Sequence, residues 1–167
     1  MKKVIIIPAR LDSSRLPKKV LLDLKGKTVI QRVYEQCLKV KNVDGVYIAT
    51  DSIEIKEVCE TFTNNVIITK STHKSGTDRI GEAVSAIDCD IVINVQGDEP
   101  FIDPINIDRC IQNFIKQSVS PKLVCSTLHH KIYYNEAVKS SIGKLILDKD
   151  NNIMYCSRTI IPTNNHV

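Results

Sequence analysis

The chain has 167 residues, of which 43% are hydrophobic and 25% charged, and a net charge of +4. That size and mix fit one soluble globular domain with a buried core. The mild positive charge suits an anionic small molecule and is too weak to imply nucleic acid. Met1-Lys2-Lys3, then four aliphatics and Pro8, does not make a signal peptide, and no apolar run is long enough to cross a membrane, so a cytoplasmic protein is expected. The 6 cysteines include no C-x-x-C pair and mostly fall in apolar periodic segments. Buried reduced thiols are therefore expected rather than zinc ligands or disulfides.

Val4-Ile5-Ile6-Ile7 predicts a first strand buried on both faces. A short extended piece, Val20 to Leu24, ends at Gly26. Thr28, three residues before Gln31, predicts a capped helix start, with Val29, Ile30, Val33, Cys37 and Val40 on the apolar face. Gly45 to Thr50 is the second strand, and Asp51 is expected to cap a helix to about Phe62 with Ile55, Val58, Cys59 and Phe62 inward. Val66 to Thr69 is a third strand. A polar loop over 70–77 leads into a helix opened by Ser75 or Thr77, with Ile80, Ala83, Val84 and Ile87 inward. Ile91 to Val95 is a second buried strand. Pro104 suits a helix N-terminus for 104–117, with Ile107, Cys110, Ile111, Phe114 and Ile115 facing the core. Leu123 to Leu128 is a fifth strand, and Lys144–Asp148 with Ile153–Ser157 make a hairpin around Lys149-Asp150-Asn151-Asn152. Strands alternating with helices define an α/β class, a mostly parallel sheet with helices on both faces.

Three stretches carry chemistry. Residues 8 to 19, Pro8-Ala9-Arg10-Leu11-Asp12-Ser13-Ser14-Arg15-Leu16-Pro17-Lys18-Lys19, place four cations and two hydroxyls just after the first strand. Such a run is either a solvated charge run or a site for an anion that relieves the repulsion. Its place at the carboxyl end of a strand favours the site, because open α/β sheets bind ligands there. It is neither a P-loop nor a dinucleotide fingerprint. Asn94-Val95-Gln96-Gly97-Asp98-Glu99-Pro100 should open on the same edge. There Gly97 would let backbone approach a ligand, and the carboxylates could hold a divalent cation bridging to phosphates or simply cap the next helix. His73-Lys74-Ser75-Gly76-Thr77-Asp78-Arg79 opens a helix whose N-terminus suits a base or an anion, though Ser-Gly-Thr-Asp is also an ordinary cap. Cations for phosphates beside a carboxylate for magnesium suggest nucleoside-triphosphate chemistry.

With these stretches in order, the chain resembles the CMP-Kdo synthetases, the 3-deoxy-manno-octulosonate cytidylyltransferases. Their I-P-A-R-x-x-S-[ST]-R-L-P-x-K motif is matched by Ile7 to Lys19, H-x-S-G-T-[DE]-R by His73 to Arg79, N-V-Q-G-D-E-P by Asn94 to Pro100, and S-R-[AT]-x-I-P by Ser157 to Pro162. Sialic-acid cytidylyltransferases share the plan and the basic loop, but the motifs sit nearer the Kdo branch. The resemblance implies a three-layer Rossmann-like nucleotidyltransferase fold spanning 1–167 as a single domain. It also implies activation of an acidic eight-carbon sugar, Kdo, with CTP and magnesium, giving the CMP-sugar and pyrophosphate for lipopolysaccharide biosynthesis. Carried over by position, Pro8, Ala9, Arg10, Ser13, Ser14, Arg15 and Lys19 bind the nucleotide, with Arg10 and Lys19 on the triphosphate. Ser75, Thr77, Arg79, Gln96 and Gly97 surround the cytosine and ribose. Asp98 holds the magnesium, and Arg10, Lys19 and Asp98 form the catalytic set. Arg158 and Gln96 meet the sugar.

Members of that family continue past residue 167, and the part beyond supplies sugar contacts, a second metal-binding aspartate and much of a homodimer contact. Truncated relative to the family, the chain is expected to be either a cytidylyltransferase, for Kdo, its 8-amino analogue or a nonulosonic acid, or a catalytically incomplete nucleotide-binding remnant. The family's V-K-V-V-x-D segment aligns through Lys144, preferred for its strand context, or through Lys139. His129 and His130 are expected to be surface residues rather than ligands.

Overall fold

A computed structural model describes residues 1–11, 16–117 and 124–161. The chain divides into two compact units, Met1–Thr127 and Leu128–Val167.

In the first unit four strands, β1 (Lys3–Ala9), β2 (Gly45–Thr50), β3 (Val66–Ile68) and β4 (Ile91–Asn94), form one parallel sheet in the order β3-β2-β1-β4. Because β1 pairs on both edges, every residue from Val4 to Ala9 is buried, as its unbroken apolar run requires. The period-2 alternation of side chains then divides the sheet into two cores. On one face Ile5, Ile7, Val46 and Ile48 pack with residues of α1 (Val29–Cys37), α2 (Ile53–Glu60) and α4 (Pro104–Gln117), among them Ile30, Val33, Ile55, Ile107 and Ile111. On the other, Val4, Ile6 and Ala49 meet Ile80 and Ala83 of α3 (Gly76–Val84). The expected three-layer architecture, with helices on both faces, is present.

Local chemistry explains the boundaries and corrects several expectations. Thr28 accepts from the Gln31 amide (3.3 Å), but the Gln31 side chain turns to Glu35 (3.2 Å), so only half of a capping box forms. Residues Lys19–Leu21 form a 3-10 turn instead of an extended piece. After it, Lys25 and Gly26 both take positive φ (55° and 79°) inside a tight turn closed by Leu24 N–H to Lys27 C=O at 2.7 Å. Two positive φ values in succession mark a type I′ turn, and glycine bears one of them at no steric cost. The α2 helix is capped by Ser52, which accepts from the Ile55 amide at 3.2 Å, and not by Asp51. The β4 strand is only half-buried, because it pairs with β1 alone. Residues 124–128 form no strand, while Leu123 lies outside the described residues. Cys37 and Cys59 are buried, and desolvation pushes both thiols up to about 12, so they stay protonated. Cys125 and Cys156 are exposed, contrary to the general expectation of burial, and no disulfide joins described residues.

The second unit holds a short helix, α5 (Tyr134–Ala137), and the antiparallel hairpin of β5 (Lys144–Leu147) and β6 (Ile153–Ser157). Asp148 anchors the turn by accepting from the amides of Asp150 and Asn152, both at 2.8 Å, and from the Asn152 side chain. These bonds, led by the Asn152 side chain, hold its carboxyl below the usual carboxylate range. Asn151 turns the chain at φ 63°, a conformation asparagine tolerates better than most residues. Lys144 is buried, and its ammonium donates to the carbonyls of Lys139 and Ile142 at 2.9 Å each and to that of Arg158. The strand context preferred for Lys144 is therefore the observed one, while Lys139 is exposed. Lys144→Met should leave these carbonyls short of a donor and destabilise the hairpin by about 1–3 kcal/mol. Faster hydrogen exchange of the β5 and β6 amides would report it.

Candidate active site at the carboxyl edge of the sheet

Parallel pairing aligns Ala9 with Thr50, Thr50 with Ile68 and Ile6 with Asn94, so the carboxyl ends of all four strands share one edge. The basic loop leaves β1 there and returns through a backbone bond from Lys18 N–H to Leu11 C=O (3.1 Å). Lys18 sits in the left-handed region (φ 53°), unfavourable for a non-glycine residue. Its ammonium grips both oxygens of Glu54 on α2, at 2.7 and 2.8 Å. That reversal carries the chain into Lys19, whose ammonium meets Asp98 Oδ2 at 2.8 Å. The basic loop and the acidic turn, 79 residues apart in sequence, are thus joined by an ion pair.

Gly97 is buried, and a Cβ there would lie 2.8 Å from the Pro8 carbonyl oxygen and 3.2 Å from Ile30 Cδ1. The close approach for which the glycine is needed is to the protein's own β1 backbone. Gly76, at the start of α3, would bring a Cβ 3.2 Å from Pro8 Cγ and 3.8 Å from Gln96 Oε1. Pro8, Gly76, Gln96 and Gly97 are thereby gathered at one point, and Gln96 donates to Asn94 Oδ1 at 3.0 Å. Ser75 caps α3 in a full capping box with Asp78, each accepting from the other's amide at 3.1 Å, so its structural role is occupied as well. Thr77 is exposed in the first turn. Asp98 and Glu99 are exposed, yet the Glu99 carboxyl is raised above the usual range, first by local desolvation and then by the charge of Asp98.

Beside this point an open cavity of about 300 Å³ is lined by Arg10, Leu11 and Arg79, with Asp51, Ser52, Ser71 and His73 completing it. Arg79 is 3% exposed, and a buried charge needs a partner. Its Nη1 donates to Thr69 Oγ1 (2.6 Å) and its Nη2 pairs with Asp51 Oδ2 at 3.0 Å. His73 pairs with Glu82, which also accepts from the Lys70 amide at 3.0 Å. The His73 bond first, then the Lys70 amide, lowers the Glu82 carboxyl. A lowered carboxyl contributes stability above its ordinary value near 4.5 and loses it as pH falls through the folded value. Glu82→Gln should therefore flatten the fall in melting temperature on acidification in that window, as thermal denaturation across the pH range would show.

Asp51, Thr69, Ser52, Ser71 and Glu54 were not among the expected site residues. The strand-end rule that selects Arg10 and Asp98 would also select Asp51, at the end of β2. Its place just before a helix made a cap the simpler expectation. Ser13, Ser14 and Arg15, together with Pro162, lie outside the described residues. Arg158 belongs to the second unit, where it is exposed just after β6 and held through its carbonyl by Lys144. His129 and His130 are exposed, as expected. No helix among the described residues is long and apolar enough to cross a membrane.

A parallel sheet whose strand ends hold cations against an acidic Gly-Asp turn is the plan of a nucleotidyltransferase. A model of the cytidylyltransferase family matches residues 4–166, and the chain belongs to that family. Its sequence relatives include 3-deoxy-manno-octulosonate cytidylyltransferases. The one from Francisella philomiragia is 49% identical over 162 residues, 95% of this chain and 63% of that protein. The one from Chlorobium limicola is 42% identical over 165 residues, 97% of this chain and 66% of that protein. A solved structure of CMP:2-keto-3-deoxy-manno-octonic acid synthetase complexed with CTP is 40% identical and superimposes with a TM-score of 0.90, over 99% of this chain and 68% of that one. The chain thus spans 63% of the length of the Francisella relative.

Proposed function

We propose that the chain carries the nucleotide-activating part of a cytidylyltransferase that couples Kdo to CTP, releasing pyrophosphate. The observation that carries this reading is the Lys19–Asp98 pair at 2.8 Å, which sets a cation of the basic loop against a carboxylate at the sheet edge. The base would enter the cavity beside Arg79. The triphosphate would run along Arg10 and Lys19, and the sugar's anomeric hydroxyl would attack the α-phosphorus in line. Arg10 and Lys19 would neutralise the phosphates and the leaving pyrophosphate. Such a site works by positioning and preorganised charge and forms no covalent intermediate with the protein. Gln96 would meet the sugar's hydroxyls.

No cluster of three or more metal-ligating side chains occurs among the described residues. Asp98 beside Glu99, whose carboxyl is raised first by desolvation and then by the Asp98 charge, nevertheless offers adjacent carboxylates, a donor set suited to magnesium, which takes its other oxygens from water and substrate phosphates. When bound at Asp98, magnesium would withdraw charge from the α-phosphate. Formation of CMP-Kdo would place the protein in the cytoplasm, in lipopolysaccharide biosynthesis. Exposed Tyr133, Met154 and Tyr155 in the second unit offer apolar surface for the homodimer that the resemblance implies.

The test is pyrophosphate release from CTP with magnesium, in the presence of Kdo, its 8-amino analogue, N-acetylneuraminate or no sugar. Release with Kdo above the others supports the reading. Release with none, alongside measurable CTP binding, would show an incomplete site.

A further inference from the structure

We propose that Asp51 selects cytosine over uracil by accepting a hydrogen bond from the exocyclic amino group of the base. This rests on the nucleotide reading above, in which the base occupies the cavity beside Arg79. Charge bookkeeping within the cavity supports a neutral ring there. Arg79 is neutralised by Asp51 and His73 is paired with Glu82, whereas Arg10 has no carboxylate partner among the described residues. An anion gains little from the paired groups, while Arg10 suits a phosphate at the cavity's edge.

The inner groups form a directional pattern. Arg79 is immobilised by burial, by Thr69 at 2.6 Å and by Asp51 at 3.0 Å. Asp51 uses Oδ2 for that pair, lines the cavity, and has no described partner on Oδ1. A carboxylate acceptor therefore stands next to guanidinium donors. Cytosine presents the complement, an amino donor at C4 beside the acceptors N3 and O2, and a carboxylate accepting from that amino group is an established way of reading this base. Uracil presents a carbonyl at C4 and an N–H at N3. Against Asp51 its C4 carbonyl would set oxygen against oxygen, leaving both without a proton to share. A contact from Arg79 to O2 would not discriminate, because both bases carry O2.

The experiment measures dissociation constants of the full chain for CTP and UTP by titration calorimetry, in wild type, Asp51→Asn and Thr69→Val. Wild type should prefer CTP by about tenfold or more, and Asp51→Asn should collapse that preference, because an amide can turn either its oxygen or its NH₂ toward the base. Thr69→Val also loosens Arg79 but keeps Asp51, so it should weaken both nucleotides alike and preserve their ratio. Thermal melting reports folding. Should Asp51→Asn fail to fold, Asp51→Glu keeps the charge opposite Arg79 but shifts the carboxylate by a methylene, and it should narrow the preference. An unchanged ratio in the folded Asp51 variant, with wild type preferring CTP, overturns the role of Asp51 and leaves the nucleotide reading standing. A wild-type chain that binds neither nucleotide overturns both.

Discussion

Asp98→Asn is expected to lower pyrophosphate release from CTP by about 10²–10³-fold, the scale seen when one preorganised charge-stabilising group is lost. The fold should survive. Asp98 is 45% exposed at its side chain and its partner Lys19 41%, and an exposed ion pair contributes at most about 1 kcal/mol. Both residues would remain solvated after the change, so the melting temperature should move little. Two roles for Asp98 can be separated by titrating magnesium. If the carboxylate holds the metal, the variant needs far more magnesium for its residual turnover. If it only steers Lys19, the magnesium requirement is unchanged and the loss appears in the apparent affinity for CTP. Lys19→Gln should show that second pattern. Normal turnover in Asp98→Asn would remove the residue from the mechanism altogether.

Gly97→Ala should damage both stability and activity, for a reason of space and not of backbone conformation. The new Cβ would lie 2.8 Å from the Pro8 carbonyl oxygen, 3.2 Å from Ile30 Cδ1 and 3.6 Å from Ile7 Cγ2. A main-chain oxygen on the central strand cannot swing aside as a side chain can, so the acidic turn must move away from β1. Overpacking of this kind costs about 1–3 kcal/mol, and each kcal/mol lowers the melting temperature by about 2–4 °C in a chain of this size. Because Asp98 is the next residue, the displacement also carries its carboxylate away from Lys19, and turnover should fall more steeply than stability. Gly26→Ala provides the contrast. Nothing lies within 4 Å of a Cβ at Gly26, but its φ is 79°, so strain should appear in stability without a matching loss of turnover. Equal effects on turnover from the two substitutions would contradict the placement of the acidic turn.

Much of the layout was legible in the chain because it is locally determined. The apolar run of β1, the limits of β2 and α4, the cap at Thr28 and the β5–β6 hairpin follow from side-chain period and from residues a few positions apart. The motifs around Arg10, Ser75 and Asp98 were legible for a related reason, since each sits at a strand end or a helix start whose position that periodicity sets. Packing alone could reveal the rest. Asp51 read as a helix cap until Arg79 was placed opposite it, and the buried guanidinium then required a carboxylate. Gly97 read as room for a ligand until β1 filled that room. A fifth strand was expected from Leu123 to Leu128, but 124–128 form no strand, since β-propensity is a context-dependent preference that tertiary surroundings override. Taken alone, the sequence determined the layered α/β plan, the sheet edge that the basic loop and the acidic turn share, and most of the charged groups brought to it. The tertiary structure decided which charges face one another, Lys19 with Asp98, Lys18 with Glu54 and Arg79 with Asp51. Those pairs join residues 28 to 79 positions apart, and only the stacking of parallel strands brings them within reach of each other.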